Sequence, residues 1–256
     1  MGVKNFIKRK LTYEQLLKTR FKIKGIKSLF FRSNLTKLAQ IHQTDKYGSH
    51  FYTPHYQLHL SRFRLKKINF LEIGVGGYSN PLAGGESLRM WKSYFPFAKV
   101  VSIDIYDKSF HEQNRIKIYK GSQIDEEILN VINAESGPFD VIIDDGSHVN
   151  EHVIKTFEIL FPKLKMGGIY VVEDTQTSYW ESYGGTSNDF NKEGTIYQFF
   201  KSLIDSLNSE EFILDSYERT YYDKHIVSMH FYHNLIFIYK GNNSEGSNAV
   251  KNSKFL

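Results

Sequence analysis

Four residues in two short stretches could do chemistry together. The run Val141-Ile142-Ile143-Asp144-Asp145-Gly146-Ser147-His148 is answered about thirty residues later by Tyr170-Val171-Val172-Glu173-Asp174. Each is an apolar, β-branched stretch that stops at carboxylates, as a buried parallel strand does when its C-terminal end opens on a site. Adjacent strands ending this way would set Asp145, Glu173 and Asp174 around one point, with His148 a turn away. Carboxylates packed so closely repel one another unless a cation lies among them. The spacing therefore points to a hard divalent ion such as magnesium on oxygen ligands, beside an imidazole able to act as a base. The alternative is a set of strand-end acids that cap helices, with His148 a surface histidine at a helix start.

Such a cluster needs a sheet to hold it, and the rest of the chain supplies one. Apolar strand-like runs (68–73, 100–105, 116–119, 139–143, 169–172) alternate with helix-like stretches (86–94, 126–132, 151–164). That alternation builds a mostly parallel α/β sheet covered on both faces. Pro162 predicts a bend or an early end to the helix before the last of these strands. Lys165-Met166-Gly167-Gly168 reads as the turn that feeds it. Residues 178–193 are rich in Gly, Ser, Asn and aromatics, among them Tyr179, Trp180 and Tyr183. They read as a long loop over the site, with the aromatics on a ligand's apolar face or packed on the body. Beyond a helix-like 196–207 come apolar runs at 212–217, 226–232 and 235–239. The last two, with His233-Asn234 between them, form an antiparallel hairpin at the sheet edge and complete seven strands.

Composition sets the limits. At 256 residues and 41% hydrophobic, there is enough apolar material for one principal α/β domain with extensions. The absence of cysteine excludes disulfides, thiolate metal sites and cysteine nucleophiles, so any metal must use O or N ligands. No apolar run is long enough to span a bilayer, and residues 1–10 are too polar for a secretory signal, which makes the cytoplasm the expected location. The formal charge of +5 is unevenly spread: residues 1–50 carry twelve Lys and Arg against Glu14 and Asp45, leaving the remainder mildly acidic. The expected organisation is a basic helical extension over 1–40, a catalytic domain over 41–240 and a fraying Asn/Ser/Gly-rich tail over 241–256. The basic extension could meet anionic lipid at the inner membrane face, nucleic acid or an acidic subunit, or be an ordinary helix with a solvated face.

The first strand ends Leu71-Glu72-Ile73-Gly74-Val75-Gly76-Gly77, and glycines directly after a buried strand let backbone approach a ligand closely. Neither the full G-x-G-x-x-G pattern nor a Walker sequence is present. The next strand ends in Asp104, about where an acid receives ribose hydroxyls in a doubly wound sheet. Glu72 before the glycines and Asp104 at the next strand end suit the methionyl and adenosyl parts of S-adenosyl-L-methionine. Ser122 and Gln123 follow the third strand at the same sheet edge and could meet the adenine or ribose, or Ser122 could cap the helix that starts near Asp125. Asp144 could border the adenine side or be a structural hydrogen-bond acceptor.

Segments 44–56, 71–78, 84–91, 102–109, 121–123, 144–148 and 172–180 carry a resemblance over residues 41–240. They include Thr44-Asp45-Lys46-Tyr47-Gly48, Gly84-Gly85-Glu86-Ser87 and Val172-Glu173-Asp174-Thr175-Gln176-Thr177. The chain resembles the metal-dependent S-adenosylmethionine sugar O-methyltransferases that act on deoxysugars of macrolide antibiotics such as mycinamicin and macrocin. The resemblance implies a Rossmann-like class I methyltransferase fold, magnesium on Asp145, Glu173 and Asp174, His148 as general base, and Glu72, Asp104, Ser122 and Asp144 near the cofactor. It also implies a glycoside or glycan acceptor; a homo-oligomer is the expected assembly. The basic extension departs from the pattern, which leaves oligomeric contacts and acceptor size open. A nucleic-acid methyltransferase using the basic arm is a weaker reading, because the signatures usual for base methylation are missing. A noncatalytic adaptor that kept the fold is weaker too, because the acids and His148 are intact.

Overall fold

The structure is a computed structural model that describes residues 11–251 and 254–255. Residues 1–10, the start of the expected basic extension, lie outside the described residues.

In chain order the principal elements begin with α1 (Tyr13–Ser28), α2 (Leu35–His42), α3 (Thr53–Leu60), β1 (Asn69–Ile73), α4 (Glu86–Tyr94), β2 (Lys99–Asp104) and β3 (Ile116–Lys120). They continue with α5 (Glu126–Ser136), β4 (Phe139–Asp144), α6 (Asn150–Leu160), β5 (Leu164–Glu173), α7 (Ile196–Ser202), α8 (Tyr221–His225), β6 (Ile226–Tyr232) and β7 (Leu235–Lys240). A two-stranded ladder of β8 (Val250–Lys251) and β9 (Lys254–Phe255) follows. The main sheet has seven strands in the order β3-β2-β1-β4-β5-β7-β6. β4 pairs in parallel with both β1 and β5, while β7 is antiparallel to β5 and to β6. This is the expected seven-stranded, mostly parallel sheet closed by a C-terminal hairpin.

The chain forms two compact units. The first takes in the chain up to Ile68, Val75–Ser102 and Tyr106–Lys120. The Thr12 hydroxyl and the Gln15 side chain cap the start of its α1 reciprocally. Leu35, Leu38 and Ala39 of α2 are fully buried, and Tyr56 meets Trp91 edge-on at 5.0 Å between ring centres.

The second unit comprises Asn69–Gly74, Ile103–Ile105 and the chain from Gly121 onward. Its strands β1, β4 and β5 are almost wholly buried, as runs of Val, Ile and Phe between helical layers must be. On α6, Val153, Phe157 and Leu160 recur at helical spacing and face the core. Phe157 packs against Phe161, Tyr170 and Phe200 with ring centres 4.8–5.0 Å apart. Full burial of such a side chain contributes about 1.5–3 kcal/mol.

Three local readings change. Lys165–Gly168 is not a free turn: β5 starts at Leu164, which pairs with Phe139, while the next paired residue, Ile169, faces Val141. The four residues between bulge out of the ladder, with Gly167 at φ +79° absorbing the distortion. Residues 212–217 do not form a strand; Ile213 and Leu214 are exposed, and the Tyr217 hydroxyl donates to Asp223 instead. The stretch from Gly241, read as a fraying tail, is tied in at its start. Gly241 N donates to His225 O and the Asn243 amide to the carbonyls of Asp223, Ser206 and Leu207.

Candidate metal and cofactor site

Strand register brings the acids together. Ile73 pairs with Asp144 and Asp144 with Val172, so the next residues out, Gly74, Asp145 and Glu173, stand at the same level on three neighbouring strands. Gly74 has φ +92°, and a Cβ there would lie 2.2 Å from the Asp145 carbonyl oxygen. Only glycine lets the exit of β1 pass that close to the exit of β4.

Alternation along β5 would send Glu173 and Asp174 to opposite faces. Asp174 instead adopts a left-handed conformation (φ 54°, ψ 41°) that redirects its side chain. His148 is also left-handed, at φ 56°. Asp and His tolerate this region better than most residues, and here the two left-handed turns aim both side chains toward Asp145.

Two sets of potential ligand atoms result, each lying within 4.8 Å of one another: Asp145 with His148 and Asp174, and Asp145 with Glu72 and Glu173. Opposite ligands of a magnesium-sized ion at about 2.1 Å stand about 4.2 Å apart, so a small closure would seat one. The donor set of carboxylate oxygens with an imidazole at its border suits a hard divalent cation. His148 Nε2 lies 3.6 Å from Asp174 Oδ2 and 3.9 Å from Asp145 Oδ1, beyond hydrogen-bond reach of either. Its Nδ1 is buried with no hydrogen-bond partner among the described residues.

Glu72 is fully buried, and its carboxylate joins the acid cluster. The sequence assigns it to the cofactor side alone; its place on the strand next to β4, which only the strand order shows, sets its carboxylate beside those of Asp145 and Glu173.

The remaining expected cofactor residues divide into two kinds. Asp104, at the tip of β2, and Ser122 are partly exposed. Ser122 does not cap α5, because the Asp125 carboxylate accepts the N–H groups of Glu127 and Ile128; the Ser122 hydroxyl accepts only Ile124 N, at 3.4 Å. Gln123 and Asp144 turn inward. The Gln123 amide donates to Asp144 Oδ1 (3.2 Å) and to Thr156 Oγ1 (3.0 Å), and its carbonyl accepts Ser147 N (2.7 Å). Asp144 is 1% exposed, and burial pushes its carboxyl up to about 7, with the adjacent Asp145 charge adding to the rise. These are the bonds of a structural acceptor and a strut behind the 145–148 turn. Gly76 lies in the first unit, at φ +80° in a glycine-rich loop.

Asn150 is a site-shaping residue the sequence reading passed over. It is 1% exposed, donates to Thr177 O and Tyr183 O and accepts Ile196 N, so one side chain fastens the aromatic loop to the start of α6. Nothing about an Asn after Val149 distinguishes this from an ordinary helix start. In the loop, Tyr179 stacks on Tyr197 and Trp180 lies 5.8 Å from Tyr183, with Tyr179 and Trp180 partly exposed.

The fold is Rossmann-like, of the class I methyltransferase type, and its strand tips present an acid cluster suited to a divalent ion. Residues 84–218 match the model of the Rhamnosyl O-methyltransferase/CmcI family, and the chain belongs to that family. It is 46% identical to demethylmacrocin O-methyltransferase of Streptomyces fradiae over 84% of this chain and 55% of that protein. It is 44% identical to mycinamicin VI 2''-O-methyltransferase of Micromonospora griseorubida, over 84% and 54%. Among solved structures it is similar to MycE, a methyltransferase of the mycinamycin biosynthetic pathway in complex with Mg and SAH. That match has a TM-score of 0.81 and 45% identity over 83% of this chain and 56% of that one. The chain thus spans about half the length of the curated relatives it matches.

Proposed function

We propose that this chain carries magnesium-dependent transfer of a methyl group from S-adenosyl-L-methionine to a sugar hydroxyl of a glycoside. The observation that carries this is the convergence of Glu72, Asp145, Glu173 and Asp174 beside His148 at the tips of adjacent strands. The relatives' names, which specify sugar O-methylation, and the Mg and SAH of the MycE complex support it.

Asp145, Glu173 and Asp174 would hold the ion, with Glu72 behind them. When bound, the ion lowers the pKa of a hydroxyl it meets and fixes the sugar's orientation. His148 stands at the border of the cluster and takes the hydroxyl proton, and the carboxylates of Asp174 and Asp145 beside it offset the imidazolium charge. The oxygen attacks the sulfonium methyl in line, leaving a methyl ether and S-adenosylhomocysteine. Alignment of the two reactants supplies about 7 kcal/mol or more of the barrier reduction. On the cofactor side, Asp104 and Ser122 take the ribose and adenine, Gly74 brings backbone to the methionyl end, and Gln123 and Asp144 keep the site's wall in place. The exposed faces of Tyr179 and Trp180 suit the apolar face of a sugar ring.

A finer reading assigns the exposed Lys18, Arg20, Lys22 and Lys27 of α1, with exposed Phe30, to an anionic surface. Co-sedimentation with anionic but not neutral vesicles checks it. No helix among the described residues is long and apolar enough to cross a membrane.

The central test is turnover on a panel of deoxysugar glycosides with S-adenosyl-L-methionine, read by mass spectrometry. Expected are a singly methylated glycoside, loss of activity with chelator and recovery with magnesium. His148→Ala should lower kcat about 10²–10⁴-fold while metal and cofactor still bind. Full turnover in chelator, or in His148→Ala, overturns the reading.

A further inference from the structure

In the first unit, the glycine-rich loop between β1 and α4 is held from behind by three buried nitrogen-bearing side chains. Lys108 is 1% exposed and its Nζ donates to the carbonyls of Asn80 (2.8 Å) and Ala83 (3.2 Å). Arg89, 3% exposed, donates from one guanidinium nitrogen to Gly84 O (2.8 Å). His111, 2% exposed, has Nε2 3.1 Å from Ala83 O and Nδ1 3.1 Å from Arg89. A carbonyl can only accept and a guanidinium can only donate, so His111 is the neutral tautomer with its proton on Nε2. Burial, with Arg89 adding, holds its pKa down to about 4, in keeping with that state.

The loop needs such support. Gly76, Gly77, Tyr78, Gly84 and Gly85 all have positive φ, and a Cβ on Gly84 would lie 2.4–2.5 Å from the carbonyl oxygens of Gly76 and Val75. Desolvating a lysine and an arginine costs several kcal/mol unless their donors are met. Here they are met by loop carbonyls. The Asn80 carbonyl precedes Pro81, which has no N–H, and the Gly85 N–H donates to Val75 O (2.7 Å), so neither of those peptides offers a donor. The Ala83 carbonyl, held by Lys108 and His111, turns the Gly84 N–H of the same peptide the other way, a donor that favours a carboxylate or another anionic group.

The helix α1 closes the back of this clamp. The Phe21 ring lies 3.8 Å from the Arg89 guanidinium and packs near Phe110 and His111, with ring centres 6.3 and 6.1 Å away. Lys24 of the same helix donates to His42 O and to the Gln43 side chain.

We propose that Lys108, Arg89 and His111, backed by Phe21 of α1, are positioning residues that set the affinity of the glycine-rich loop for the methionyl carboxylate of the cofactor. This rests on the cofactor reading above, and gives α1 a part in cofactor binding rather than in acceptor choice.

The test is calorimetric titration of S-adenosylhomocysteine into the full chain, alongside kinetics and Mn²⁺ binding. Lys108→Met should weaken S-adenosylhomocysteine binding about tenfold or more, and Phe21→Ala about threefold. In both, kcat at saturating S-adenosyl-L-methionine should stay within about twofold and Mn²⁺ affinity should be unchanged, while Phe21→Tyr should keep wild-type affinity. Should Lys108→Met not fold, Phe21→Ala alone decides, since that ring is partly exposed on a helix surface. Unchanged affinity in the variants, or a fall in kcat and Mn²⁺ affinity in step with it, overturns the clamp while leaving the cofactor reading standing. Wild-type protein that does not bind S-adenosylhomocysteine overturns the cofactor reading itself.

Discussion

The acid cluster on β1, β4 and β5 and the basic cluster behind the glycine-rich loop face the same physical problem and resolve it in opposite ways. Both gather ionisable groups of one kind in partly or fully buried positions. The bases are completed by the chain, because every peptide offers a carbonyl oxygen and Lys108, Arg89 and His111 each reach at least one. The acids crowd one another around Asp145, and His148 Nδ1 stays buried without a partner among the described residues. A cluster that a protein satisfies from within is scaffold. Acids gathered at strand tips with their oxygens within 4.8 Å of one another suit a cation instead.

The strongest attempt to break this contrast is Asp145→Asn, which removes the carboxylate common to both ligand sets. Turnover should fall about 10³-fold or more. Wild-type protein with magnesium at a hundred times its Kd should gain about 2.7 kcal/mol of stability, and the variant should gain none. Without metal, the variant should be at least as stable as wild type, since a like charge has gone. Thermal melts with and without magnesium read the stability effects, and an assay with S-adenosyl-L-methionine reads turnover. A variant that still gains stability from magnesium would mean the acids are not its ligands.

Lys240 sharpens the contrast from within the second unit. It is 4% exposed and donates to the carbonyls of Phe161, Pro162 and Leu164, the same device as the clamp but at the end of α6. Lys240→Met should cost about 2–3 kcal/mol in urea denaturation, because three buried carbonyls lose a charged donor. Cofactor affinity and kcat should not change.

A smaller effect follows from pH. His42 hydrogen-bonds the Ser28 and Ser93 hydroxyls, and burial pushes its pKa from the ordinary 6.5 down to about 3; His111 falls to about 4 for the same cause. Both are neutral in the fold, so nothing is lost above pH 6.5. Below it the unfolded chain takes up protons that the folded chain refuses, and stability declines until the folded pKa values are reached. At about 1.4 kcal/mol per pH unit, each histidine accounts for about 2 kcal/mol between pH 6.5 and 5. Asp144, held up at about 7, acts in the opposite sense over the same range, because its folded carboxyl takes up a proton that the unfolded one refuses, and it offsets about one histidine. Denaturant midpoints should therefore fall by about one histidine's share, and His42→Gln should nearly flatten the profile.

Much of this was legible in the residues. The strand runs ending in Asp144-Asp145 and Glu173-Asp174 marked both the sheet and its acid tips, because a buried parallel strand admits polar side chains only where it emerges. Helix α4 lies at its expected bounds, and the hairpin turns at His233-Asn234 with Asn234 at φ 60°. Less legible were features that depend on distant partners. Residues 212–217 have a strand's composition but no strand; their polar groups are met by turns and by Asp223. The bulge at Lys165–Gly168 exists only because Phe139 and Val141 keep the ladder on either side of it.

By itself, then, the order of residues determined which side chains were available at each strand end, and that any metal ligand in a chain without cysteine has to be an oxygen or a nitrogen. Tertiary structure alone decided that Glu72 joins the acids, that Gln123 and Asp144 pair inward, and that Lys108, Arg89 and His111 converge on one loop. Periodicity reports which face a residue takes within its own element. Which groups meet across elements depends on strand order, register and a few left-handed residues such as Asp174 and His148, none of which has a local signature.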